Sequence, residues 1–119
     1  MRVMVIVKAT QESEAGTLPS VELMADMGAF NQKLIEAGVF VDAGGIKPSS
    51  KGARVAFSGK DRAVTKGPFA NVSELVSGYW IWKVKDLDEA IDWVKRCPNP
   101  MPGPSTIEIR ELYEMEDFG

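Results

Sequence analysis

Residues 64–82 read VTKGPFANVSELVSGYWIW, and this stretch is the most informative part of the chain. A polar strand ends at Gly67-Pro68, because proline fixes its own backbone torsion and has no amide hydrogen to donate. An aromatic strand over residues 76–84 follows, with apolar side chains on both faces: Tyr79 and Ile81 on one, Trp80, Trp82 and Val84 on the other. The stretch therefore predicts a strand covered on both faces, beside a turn that can shape a pocket.

The flanking segments predict alternating strands and helices. Residues 2–9 form a β-branched apolar run, which is typical of a strand. Ser20 suits the N-cap of a helix that Gly38 ends, and its apolar residues recur at spacings of three and four. Asp86 opens a second helix, with Glu89 at the position that completes a capping box.

The shorter elements are predicted from turn residues. Residues 11–19 are expected to be a loop, and a short strand over residues 39–41 is expected to break at residues 42–45. Residues 54–58 and 62–66 predict a hairpin. The final strand is expected over residues 106–115, with a bulge at Glu111-Leu112. No repeat or linker divides the sequence, so residues 1–119 are expected to form one domain.

This order predicts an α+β ferredoxin-like sandwich, in which an antiparallel sheet carries two helices on one face. In the first strand Val3, Val5 and Val7 point to one face, whereas Met4 and Ile6 point to the other. Helices on one face leave the second apolar set as a large exposed patch. We therefore expect a homodimer that packs sheet against sheet, as a dimeric α+β barrel.

The amino-acid composition argues against several classes of function. The chain has 14 basic and 17 acidic residues, a net charge of −3, and its basic residues are scattered, so no nucleic-acid partner is expected. No segment approaches the roughly 20 apolar residues that span a bilayer. A single cysteine, Cys97, fits a cytoplasmic protein without disulfides. The absence of histidine excludes Ser-His and Cys-His pairs, and neither a metal site nor a cofactor is expected.

The segment Lys66-Gly67-Pro68-Phe69, with Glu74 and residues 78–82, resembles the YCII-related family in its DGPF-motif branch. The resemblance runs almost end to end and implies the dimeric α+β barrel superfamily. Members are small bacterial proteins. Some are associated with sigma factors of the extracytoplasmic type, which implies a regulatory role, and others carry a His-Asp pair that looks catalytic.

This sequence departs from the family motif in its charged positions. Lys66 stands where the motif has an aspartate, Asn71 replaces a glutamate and Ser73 replaces a lysine. A His-Asp pair is impossible in a chain without histidine. The turn keeps its shape-determining residues, whereas its acid is absent.

Six residues are candidates for binding a ligand, and each also has a structural interpretation. Lys66 could hold an anionic molecule and Glu74 could orient it, or both could be solvated loop charges. The Gly67-Pro68 pair could shape a loop over a cleft, or simply form a turn. Four aromatic residues could line a cavity for a planar ligand, or belong to the core or the dimer interface: Phe69, Tyr79, Trp80 and Trp82. Phe69 and Trp80 are the ligand-binding candidates among them.

Two functions are compatible with these features. The first is a dimeric small-molecule-binding protein without histidine-based catalysis, with an accessory role in transcriptional signalling that the resemblance implies. The second is an isomerase- or lyase-like enzyme of the dimeric barrel type acting on a small polar metabolite. Its catalytic candidates are Glu74, Tyr79 and Asp42, although an Asp before small residues is also ordinary turn chemistry. Cys97 is expected to be an inert buried thiol.

Overall fold

The computed structural model describes residues 1–119. Its helices and strands have the following bounds along the chain: β1 Arg2–Lys8, α1 Gln11–Glu14, α2 Val21–Glu36, β2 Phe40–Gly45, β3 Ala53–Ser58, β4 Asp61–Lys66, β5 Val76–Lys83, α3 Leu87–Lys95 and β6 Ile107–Glu111. Three short 3₁₀ turns lie at Ser49–Lys51, Val72–Glu74 and Met115–Phe118.

Four strands form one antiparallel sheet in the order β2-β5-β1-β6, and β3 pairs only with β4. This order is that of a ferredoxin-like fold, with the β3–β4 hairpin inserted between β2 and β5. Both α2 and α3 contribute buried side chains to the same core, so they cover the same face of the sheet. The predicted α+β ferredoxin-like sandwich is confirmed.

The helices begin where their capping residues predict. The Ser20 hydroxyl accepts a hydrogen bond from the Leu23 amide at 3.1 Å, and the Asp86 carboxylate accepts one from the Glu89 amide at 2.8 Å. Gly38 follows α2 with a φ of +72°, a left-handed conformation that favours glycine. A bilayer-crossing helix would need greater length and a more apolar surface than any helix here has.

The core lies between the sheet and the helices. Phe30 of α2 meets the rings of Trp80, Trp82 and Trp93 edge-on, with ring centroids 6.2 to 6.3 Å apart. The valines of β1 that alternate toward this face are buried with them: Val3, Val5 and Val7. Alternation along β1 and β5 therefore sorted the residues of the helix-covered face correctly.

The opposite face of the sheet is uncovered. Its central side chains are only half-buried: Met4, Ile6, Tyr79 and Ile81. The chain is a slab only 19 Å thick, with 12 of its 119 residues buried. A compact domain of this length has a radius of gyration of about 13.5 Å, whereas this chain has 16.3 Å. The structure is therefore two layers with one apolar face open.

Three of the expected boundaries were wrong. The segment expected to be a loop contains α1, because Thr10 and Ser13 cap it reciprocally. Strand β2 continues through Asp42 to Gly45, since a register shift after Phe40 absorbs the irregularity. Strand β6 ends at Glu111 without the expected bulge, because Glu111 pairs with Val3 near the start of β1, its partner strand.

A matched pair of substitutions on α2 tests the position of the core. Leu34 is fully buried, whereas the side chain of the next residue, Ile35, is 52% exposed. We expect Leu34→Ala to lower the free energy of unfolding by about 2–5 kcal/mol, because it leaves a cavity. Ile35→Ala should cost less than about 1 kcal/mol. Urea denaturation measures both, and equal losses would contradict this core.

Candidate functional site

The turn after β4 is built around a close backbone approach. The Gly67–Pro68 peptide bond is cis, and the Gly67 amide donates a hydrogen bond to the Gly52 carbonyl at 3.0 Å. A Cβ atom at Gly67 would lie 1.8 Å from the carbonyl oxygen of Ser49. Only glycine fits here without moving the backbone, so Gly67 has a steric role.

Ser49 connects this turn to the first helix. Its hydroxyl accepts a hydrogen bond from the Phe69 amide at 3.0 Å and donates one to the carboxylate of Glu14. The other carboxylate oxygen of Glu14 accepts a hydrogen bond from the Ser49 amide at 2.9 Å. Three segments distant in sequence are thereby held together by one network, which fixes the backbone at Phe69.

A cavity of about 440 Å³ opens beside this network, at the base of the β3–β4 hairpin. The Phe69 ring forms part of its wall, and the Arg54 guanidinium carbon lies 3.9 Å from the ring centroid. The rest of the wall combines apolar and basic side chains, among them Ile46, Leu75, Val76, Lys47 and Lys51. The cavity therefore offers an apolar surface next to three cations.

The basic residues of the chain concentrate around this hairpin. Residues 47–66 hold six of the 14 basic residues and one of the 17 acidic residues. The expectation that basic residues are scattered was therefore wrong, because these six lie within 20 consecutive positions, and pairing of β3 with β4 brings four of them closer together. A chain with net charge −3 carries a local positive surface here.

The predicted ligand-binding residues are only partly brought together. Phe69 lines the cavity, whereas Lys66 and Glu74 are exposed, lie outside its wall and form no ion pair with each other. Trp80 is buried in the core on the helix-covered face, where its indole nitrogen donates a hydrogen bond to Asn31 at 2.8 Å. Sequence reasoning missed Glu14 and Ser49, because both lie in segments without a recognisable pattern.

The other two catalytic candidates lie on the uncovered sheet face. The Tyr79 ring packs over Gly44, where an added Cβ would meet its Cε1 atom at 2.9 Å. Asp42 pairs with Ile81 on the same face, and its carboxylate accepts a hydrogen bond from the Ala43 amide at 2.8 Å. Neither residue lines the cavity beside the Gly67–Pro68 turn.

Cys97 lies just beyond the end of α3. Burial raises the pKa of the Cys97 thiol to about 11. The sulfur contacts the Pro98 carbonyl at 3.2 Å and the Met27 sulfur at 4.0 Å. The thiol is therefore protonated at neutral pH, which disfavours a nucleophilic role.

The fold and the glycine-proline turn define a class of protein, the small ferredoxin-like domain with an inserted hairpin. Residues 1–116 match the model of the YCII-related domain, and the chain belongs to that family. An uncharacterised protein of Rhizobium meliloti is 30% identical over 90 residues, which cover 76% of this chain and 73% of that protein.

One solved structure is similar along nearly the whole chain. It is a 5-chloro-2-hydroxyhydroquinone dehydrochlorinase from Burkholderia phenoliruptrix, in complex with 2,5-dihydroxybenzoquinone. The TM-score is 0.54 at 14% sequence identity, and the match covers 98% of each chain. At this identity the likeness is one of fold.

The steric role of Gly67 is tested by adding one methyl group. Gly67→Ala should lower the free energy of unfolding by roughly 2 kcal/mol or more, because the new Cβ overlaps the Ser49 carbonyl. Gly45→Ala is the matched control, since nothing lies within 4 Å of its added Cβ. Thermal and urea denaturation measure the difference. If Gly67→Ala behaved like Gly45→Ala, the close approach would be refuted.

Proposed function

We propose that this protein is a homodimer that binds a small anionic molecule in the cavity beside the Gly67–Pro68 turn. The observation that carries the proposal is the convergence of three cations, Lys47, Lys51 and Arg54, on one cavity. Its volume of about 440 Å³ is that of a small-molecule site.

The charges in the cavity favour an anion. None of the three cations forms an ion pair with a carboxylate within the chain. The carboxylate on the cavity wall, Glu14, has both oxygens hydrogen-bonded to Ser49. The stacked Arg54 guanidinium presents a planar fork of donors, which suits a carboxylate or phosphate group. The apolar wall suits a hydrocarbon or aromatic body on the same ligand.

The uncovered sheet face supports the proposed homodimer. A second copy packing on Met4, Ile6, Tyr79 and Ile81 would bury the apolar patch through a self-complementary contact.

We also assign the chain to the DGPF-motif branch, because Gly67, Pro68 and Phe69 are present, and to the cytoplasm, because its one cysteine forms no intrachain disulfide. We propose the accessory role in transcriptional signalling from the family resemblance.

The enzyme alternative draws on the dehydrochlorinase of similar fold, whose complex with a quinone indicates that this fold can hold a small planar ring compound. In a sheet-to-sheet dimer, Tyr79 and Asp42 would face the space between the two sheets. Isomerase or lyase turnover that Tyr79→Phe abolishes, with the dimer intact, would favour this alternative. Neither Tyr79 nor Asp42 lines the basic cavity, so we prefer the binding function.

The dimer is tested by placing a charge on either surface of the slab. Ile81→Glu should shift the protein to monomer, because it would bury a carboxylate between two sheets. Ile35→Glu is the control, since Ile35 is an exposed apolar residue on α2. Sedimentation velocity reads the assembly state. A dimer that tolerates Ile81→Glu would contradict packing through this face.

The ligand site is tested by native mass spectrometry of freshly purified protein, followed by thermal shift with a panel of small carboxylates. We expect a retained or stabilising anion, and Arg54→Ala should weaken its binding roughly tenfold or more through the lost charge-assisted hydrogen bonds. Lys33→Ala removes a charge on α2 and should change nothing. Equal stabilisation of the wild type and Arg54→Ala would refute this site.

A further inference from the structure

The β3–β4 hairpin extends from the body of the protein as an arm. Every residue of both strands is exposed, and no other helix or strand packs extensively on them. Six residues of strand extend for about 20 Å. A two-stranded hairpin alone is only marginally stable in water, so the arm is expected to gain contacts in the assembled protein.

One face of the arm is both apolar and cationic. The pairing register places Val55 opposite Val64, Phe57 opposite Arg62 and Ala53 opposite Lys66, so all six side chains share that face. Phe57 is 72% exposed, and the Arg62 guanidinium carbon lies 4.3 Å from its ring centroid. No acidic residue belongs to this face, which suits a partner that is apolar and negatively charged.

The C-terminal segment, residues 112–119, has the complementary character. Its large apolar side chains are exposed, and they are Tyr113, Met115 and Phe118. Glu116 and Asp117 add negative charge beside them. The segment is anchored because Arg2 and Glu114 form an ion pair at 2.9 Å, and this contact holds the pKa of Glu114 below its usual range.

The topology places the arm and the C-terminal segment at diagonally opposite corners of the sheet. The arm leaves at the end where β2 finishes and β5 begins, on the β2 side. The C-terminal segment leaves β6, the opposite edge, at the end where β1 begins. Consider two copies whose uncovered sheet faces meet, related by a two-fold axis that lies midway between the sheets and parallel to them. If this axis is perpendicular to the diagonal, the rotation places each arm on the partner's C-terminal segment. The strands then cross at about 90°, one of the two usual angles for packed sheets.

We propose that the arm of each copy docks on the C-terminal segment of a second copy, and that the two sheets pack nearly orthogonally. This inference rests on the proposed dimer and adds its geometry. The contact buries two exposed apolar surfaces and pairs a positive surface with a negative one. It occurs twice in the dimer because the interface is isologous.

The symmetry allows a charge-exchange experiment. Arg62→Glu with Lys66→Glu reverses the arm, and Glu116→Lys with Asp117→Lys reverses the C-terminal segment. In the homodimer of either variant, like charges face each other at both contacts. We therefore expect the dissociation constant of that homodimer to rise roughly tenfold or more. A heterodimer of the two variants has opposite charges at both contacts. Native mass spectrometry of a mixture should therefore show heterodimer well above the half that random pairing yields.

A chain that combines all four substitutions guards against misfolding. Its homodimer again pairs opposite charges, so its dimer affinity should return to near that of the wild type. Wild-type protein and each variant are first compared by circular dichroism. Restoration in the combined variant, with weakening in each separate variant, would establish that the arm and the C-terminal segment touch.

The outcomes separate this inference from the proposed dimer. A wild-type protein that is monomeric would overturn both. A wild-type dimer whose variants dimerise normally and mix at random would overturn the arm contact alone. In that case the arm remains a free surface for an acidic partner of another kind, while the sheet-to-sheet dimer stands.

Discussion

The sheet of this protein has two apolar faces, but the chain provides only one layer of helices to cover them. Valines of β1 and the tryptophans of β5 face the helices, and the alternate residues of the same strands face outward half-buried. Burial of apolar surface is the main favourable term in folding and in association. A single chain, a slab 19 Å thick, leaves one apolar face of its sheet unburied. We propose that a second copy completes the burial, and the proposed arm contact would bury further apolar surface.

The β3–β4 hairpin is an insertion that lies outside the four-stranded sheet. Its base is held by a network in which Glu14, Ser49 and the Phe69 amide are joined, and Gly67 permits the approach of the backbone to Ser49. Of the three cations on the cavity wall, Arg54 belongs to the hairpin, whereas Lys47 and Lys51 precede it. The segment between β2 and β5 thus supplies most of the residues that line the cavity, and we propose that its hairpin also contacts a partner.

Local patterns predicted the fold, whereas contacts between distant segments escaped prediction. Alternation along β1 and β5 needs only neighbouring residues, so it sorted Val3 and Trp82 to one face and Ile81 to the other. The Glu14–Ser49 contact joins residues 35 positions apart, and neither residue carries a recognisable signal. The predicted β2 strand ended too early because its small residues are typical of a turn. Pairing with β5 stabilises these residues as part of the strand.

Small-angle X-ray scattering of the wild-type protein distinguishes a sheet-to-sheet dimer from a single slab, because it gives mass and shape together. We expect the mass of two chains, in a particle thicker than one slab. A single-chain mass with the radius of gyration of one slab, 16.3 Å, would contradict the account. The uncovered sheet face would then be exposed to solvent in the native state.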